Sequence, residues 1–245
     1  MVDATPRSFY ATNHKRSEME ILSNIPVEFD LSRILSELHI APDSEDADEL
    51  AALLERVRTV AKPKAAYDIC YIEGRTASTV TIGGVTFTSR VLQVNLEKVH
   101  RIFPYVATCG REFDGIVFDD DPLREYWLDH LRIIALRAAA AHAREHIEAT
   151  YQPGKMSSMS PGSLQDWPIT QQTQLFTLLG DVEGAIGVRL TDSFLMLPMK
   201  SLSGIHFPTE TSFASCSLCP RKDCPGRSAP YDEHLWAERY AEKQL

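Results

Sequence analysis

The chain has 245 residues with a formal net charge of −9; 44% of its residues are hydrophobic and 24% are charged. That length and balance suit a soluble protein of one large or two small domains. The acidic excess leaves no basic stripe for phosphates, which argues against a nucleic-acid partner. No apolar run approaches the roughly 20 residues that cross a bilayer. The N-terminus has no basic segment followed by an apolar one, so a secretory signal is not expected. An odd number of cysteines, three of them clustered, fits a reducing cytoplasm better than a disulfide framework.

Residues 1 to about 25 are polar and read as loosely attached. Ser44 is a good N-cap for the acidic turn behind it, and Leu50, Leu53, Leu54 and Val57 predict an apolar helical stripe that ends before Pro63. Tyr67–Ile72 is a strand candidate. Val80, Ile82, Val85 and Phe87 alternate about Gly83-Gly84, which predicts a hairpin with a primed turn. A short helix is expected from near Ser89, then a buried strand from Ile102 that ends at Gly110. Pro122 to Thr150 predicts a long helix, with an aspartate cap before it and Pro153-Gly154 after it. The serine-rich stretch 155–163 reads as a loop, 169–179 as a helix, and 188–198 and 200–207 as two strands. Strands before and after long helices give an α+β class with a mixed or antiparallel sheet. The expected divisions are a polar or helical extension (1–30), a central α+β domain (31–210) and a cysteine-containing tail (211–245).

The tail commits to a chemistry. Cys216, Cys219 and Cys224 have the spacing C-x2-C-x4-C, with Pro and Gly beside them and Arg221, Lys222 and Arg227 near enough to favour thiolates. Three such ligands point to an iron–sulfur cluster or zinc. Both want a fourth ligand, for which Cys109, Cys70, His206 or a group from outside the chain are the choices; Cys109 is the first of them.

One stretch resembles a known family. Leu190-Thr191-Asp192-Ser193-Phe194-Leu195-Met196-Leu197-Pro198, continued through Ser201-Leu202-Ser203-Gly204 to Phe207, is similar to the strand pair that ends the activation domain of cobalamin-dependent methionine synthase, which reads roughly L-T-E-S-F-A-M-x-P-x-x-x-V-S-G-x-x-F. The helix before it and the loop Pro161-Gly162-Ser163-Leu164-Gln165-Asp166-Trp167-Pro168 are similar as well, so the resemblance covers about 160–207. It implies that fold, and a cleft for S-adenosylmethionine shaped by Pro161, Gly162, Ser201, Ser203 and Gly204. It also implies service to a partner that carries cobalamin: a corrinoid protein or methyltransferase reactivated by reduction and methylation, with a reductant protein or a tail metal centre as electron source. Two positions depart from the family: Ser158 and Ser163 stand where it has an arginine and a tyrosine that help hold the ligand. A serine cannot make the two-pronged clamp on a carboxylate that an arginine makes. The alternative reading is a non-catalytic module that docks on a corrinoid protein, its tail pinned by zinc.

Overall fold

The computed structural model describes residues 18–118, 120–210, 213–224 and 227–241. Its centre is an antiparallel sheet of eight strands. In chain order these are β1 (Glu20–Leu22), β2 (Lys64–Tyr67), β3 (Cys70–Arg75), β4 (Thr79–Ile82), β5 (Val85–Thr88), β6 (Arg101–Thr108), β7 (Met156–Met159) and, after two short strands outside this sheet, β10 (Ser201–Pro208). The two short strands are β8 (Arg189–Leu190) and β9 (Met196–Leu197), which pair only with each other. The helices are α1 (Leu31–Glu37), α2 (Glu45–Val60), α3 (Arg90–Asn95), α4 (Pro122–Tyr151), α5 (Gln172–Leu179) and α6 (Val182–Ile186).

β6 is the hub. It pairs with β2 and β3 along one edge and with β10 along the other, and β10 carries β7 outward. Its sequence is apolar on both faces because both are covered. Ile102 and Val106 join the core under α3 and α5, whereas Phe103, Tyr105 and Ala107 join the core under α4. α4 lies close on the sheet because its contact stripe is small: Ala135, Ala139 and Ala143 recur every fourth residue, and Ile147 continues the row. A third core joins α1, α2 and the first turns of α4 around Trp127, Leu128 and Leu131.

Local chemistry sets the ends of the elements. The Ser44 hydroxyl accepts the N–H of Ala47, and the Asp121 carboxylate accepts that of Arg124, with Pro122 in the first helical position. Gly83 and Gly84 both have positive φ, at 53° and 79°, as a primed hairpin turn requires.

Three expectations need correction. Residues 156–159 form strand β7, not loop. Its serines are not solvated: the Ser157 hydroxyl accepts the Phe213 N–H at 2.9 Å, and Ser158 bonds His206, so polar residues satisfy an interior edge. The run 188–198 is not one strand. Thr191 turns it, its backbone N–H donating to the Leu195 carbonyl and its hydroxyl accepting the Leu195 N–H, and the halves fold back as the β8–β9 hairpin. Residues 1–17 of the N-terminal stretch lie outside the described residues, but from residue 20 the stretch is attached: β1 pairs with β2, and Ile25 and Phe29 are buried. The tail is attached as well, through buried Phe213 and Tyr240; the Tyr240 hydroxyl donates to Asn95 at 3.1 Å.

Candidate functional site

The cleft lies where the start of β10 meets the loop after β7. Ser160–Ser163 is a tight turn: the Ser163 N–H and hydroxyl both reach the Ser160 carbonyl, at 3.1 and 2.6 Å. Gly162 takes φ +82° there, and a Cβ on it would stand 2.8 Å from the Ile169 side chain. Only glycine meets both conditions. The Gly162 N–H donates to the Trp167 carbonyl at 2.7 Å, and Trp167 is fully buried, edge-on to Phe87. Asp166 bolts the loop to α3 by accepting the N–H groups of Arg90 and Val91 and the Ser89 hydroxyl.

β10 supplies the opposite wall. A Cβ on Gly204 would meet the Met159 carbonyl and the Ser160 hydroxyl, each at 2.6 Å, so the strand passes the loop at a distance that only glycine allows. The Ser201 hydroxyl donates to the Pro198 carbonyl at 2.7 Å and lies 3.0 Å from the Thr108 hydroxyl. That fixes the segment joining β9 to β10, which contains the cis Leu197–Pro198 bond.

Between these walls opens a cavity of about 390 Å³. Of the five expected ligand residues, Pro161 and Ser203 line it, whereas Gly162, Ser201 and Gly204 are not in its lining. The lining also includes Ile169, Gln172, Phe194, Leu195, Met196, Met199 and Leu202. Four of its apolar side chains are strongly exposed: Met199 75%, Leu195 60%, Ile169 44% and Leu202 38%. Gln172 had no sequence signal; it looks like any polar residue near the start of a helix.

The two departing serines lie off the cleft lining. The Ser158 hydroxyl lies 2.6 Å from His206 Nδ1, and the His206 ring stacks on Tyr105 with centroids 4.1 Å apart. Burial drives the imidazole down to about 3 and the Tyr105 phenol up to about 12, so both are neutral. Ser163 belongs to a neighbouring groove with Cys219, Tyr231 and Trp236.

The four expected metal ligands are not brought together. Among the described residues no group of three or more His, Cys, Asp or Glu side chains stands close enough to hold a metal ion. Cys109 is packed in the third core beside Phe113, and burial pushes its thiol up to about 12, against the thiolate a metal needs. Cys70 is buried in the sheet core. Cys216, Cys219 and Cys224 are half-buried, and no disulfide joins any of the five cysteines. The tail turn closes on a different cation. The Arg227 guanidinium donates to the carbonyls of Cys216 at 3.0 Å, Cys219 at 3.2 Å, Ala229 at 3.3 Å and Arg221. The Ser228 hydroxyl and N–H both point at Cys216 Sγ, at 3.4 Å each, and the hydroxyl bond leads in lowering that thiol's pKa.

The model of the family described as vitamin B12 dependent methionine synthase, activation domain, matches residues 140–215. The crystal structure of the MetH reactivation domain bound to AdoHcy aligns with this chain at a TM-score of 0.54 and 16% identity, over 82% of each chain. This chain has the activation-domain fold. The matched segment spans the loop, α5, the β8–β9 hairpin and all of β10, which are the parts that build the cleft, and it ends one residue before Cys216. No curated protein matches the sequence. Among the described residues no helix is long and apolar enough to cross a membrane.

Proposed function

We propose that this chain reactivates a cobalamin-dependent methyltransferase: its cleft holds an S-adenosyl ligand, and the apolar rim of that cleft docks on the partner that carries cobalamin. The observation that carries the reading is the ring of Ile169, Leu195, Met199 and Leu202 around one cavity. Large apolar side chains exposed singly are ordinary; four around one opening mark a surface made to be covered. The solved relative of the same fold binds AdoHcy, which supports an adenosyl compound as the occupant.

The residues fit such a ligand. Gly162 and Gly204 let backbone approach where a side chain would block it, and the buried Gln172 amide keeps a carbonyl oxygen with no partner. When bound, the sulfonium supplies a methyl group to cobalt that an electron donor has reduced. The chain's own work is positional: Pro161, Phe194 and Met196 flank the ligand, and the rim excludes water once the partner is seated. Nothing in this role asks the tail cysteines to hold a metal, and the donor is a separate reductant protein. We place the work in the cytoplasm, which an odd number of cysteines with three in one cluster suits better than a disulfide framework does.

Calorimetric titration with S-adenosylhomocysteine tests the reading. Saturable heat is expected for the unmodified chain and its loss for Gly162→Val. No heat at millimolar ligand would remove the adenosyl role.

A further inference from the structure

Gln172 opens α5 and is 2% exposed. Its amide nitrogen donates to the Ser203 hydroxyl at 3.0 Å, a bond between two buried residues that both line the cleft. Its Oε1 is buried and has no hydrogen-bond partner within the protein; Gln174 Oε1 on the same helix is in the same position but does not belong to the cleft lining. A buried amide oxygen without a donor is uncommon in folded proteins and asks for a group that arrives later. Other polar groups of the lining are already engaged. The Lys200 ammonium is paired with Asp129 at 3.0 Å, and the Ser160 carbonyl accepts twice from Ser163. The cavity that Gln172 helps to line also has Pro161, Phe194 and Met196 in its wall.

We propose that Gln172 selects the base of the nucleoside ligand, its side-chain carbonyl accepting a hydrogen bond from the exocyclic amine of adenine. The assignment rests on the adenosyl reading of the cleft and adds to it the residue that reads the base. An uncharged aromatic amine suits this place. Stripping water from an ammonium against apolar walls costs more than one amide oxygen returns, whereas a flat heterocycle buries its faces on Phe194 and Met196 and offers one N–H to Oε1.

The test is calorimetric titration with two ligands, S-adenosylhomocysteine and its analogue with an unsubstituted purine, which lacks only the amine. Each is titrated into the unmodified chain, Gln172→Leu and Gln172→Glu. The unmodified chain should prefer the adenine ligand by about tenfold or more, as a site built around a donor does. Gln172→Leu should bring the two within about twofold. Gln172→Glu, which keeps an acceptor, should retain the preference. Equal binding of both ligands by the unmodified chain, or a preference that survives in Gln172→Leu, overturns the assignment while leaving the cleft in place. Failure of both ligands to bind the unmodified chain overturns the cleft reading and this assignment with it.

Discussion

The cleft and the cysteine tail are the two regions where the sequence carries a motif, and they are built in opposite ways. The cleft is backbone against backbone: Gly204 passes the Met159 carbonyl with no room for a Cβ, Gly162 sits at φ +82° under Ile169, and Asp166 ties the loop to a helix N-terminus. The tail hangs on side chains. One guanidinium gathers four carbonyls, and two aromatic rings, Phe213 and Tyr240, anchor the rest. A shape written in glycines is rigid before any ligand comes. A shape written in one arginine and three thiols is held by few bonds, and its chemistry depends on what meets it.

The largest effect that should sharpen this contrast is Gly204→Ala. The added methyl must displace main chain, the Met159 carbonyl, as well as the Ser160 hydroxyl and the Tyr105 ring edge. We expect a loss of about 3 kcal/mol, the upper end of the cost of overpacking, read as a lowered urea midpoint. An unchanged midpoint would mean that the loop and β10 are not locked together.

Next comes the acid response. His206 is buried and neutral, its pKa down at about 3 through burial first and the Arg144 charge second. In the unfolded chain it takes a proton near its ordinary 6.5. Between those values the unfolded state binds the extra proton, so this contribution to stability is whole above the ordinary value and declines as pH falls toward 3. The slope is about 1.4 kcal/mol per pH unit for one group. His206→Gln should flatten that decline in denaturant titrations taken from pH 7 to 4. An equal slope in the variant would assign the acid sensitivity to other groups.

How much of this was legible beforehand follows from the same contrast. The Ser44 cap, the Gly83-Gly84 turn, the long helix after Pro122 and the α+β class were all readable, because propensity and periodicity act within a few residues. The residues around Pro161-Gly162 and Ser203-Gly204 were pointed to by the family resemblance, not by periodicity, and the close approaches that their glycines allow are visible only in the structure. Strand β7 was missed because serines read as loop when their partners, Phe213 and His206, are about fifty residues away. The buried row of α4 runs through Ala135, Ala139 and Ala143, whereas the larger Leu123 on the same helix is exposed, a choice of face that packing on the sheet makes. Convergence of four cysteines was a long-range inference from a local spacing, and spacing does not reveal that Cys109 belongs to another core.

A smaller effect tests the tail itself. Arg227→Ala removes the donor that four carbonyls share, yet the turn is half exposed and also packs on the core through Leu218 and Cys219. Global stability should change by less than about 1 kcal/mol, as for surface sites in general, while limited proteolysis should cut the tail near residue 220 much faster than in the unmodified chain. An intact tail under protease would mean that its apolar contacts alone hold it.

The smallest perturbation is chemical labelling, and it separates the cysteines one from another. The nucleophile toward iodoacetamide is the thiolate. Cys216 has its pKa lowered, first by the Ser228 hydroxyl bond, and it is partly open to solvent. Cys109 is buried and raised to about 12. As pH rises from 6 to 8, Cys216 should be alkylated first, its rate levelling off at lower pH than that of an ordinary thiol, and Cys109 should stay unlabelled until denaturant is added. Peptide mapping by mass spectrometry reads both. Ser228→Ala should move the Cys216 rate profile toward higher pH and leave Cys109 silent. Such a shift would place the tail's reactivity in one hydroxyl bond, whereas early labelling of Cys109 would mean that the third core opens far more readily than its packing around Phe113 and Trp127 implies.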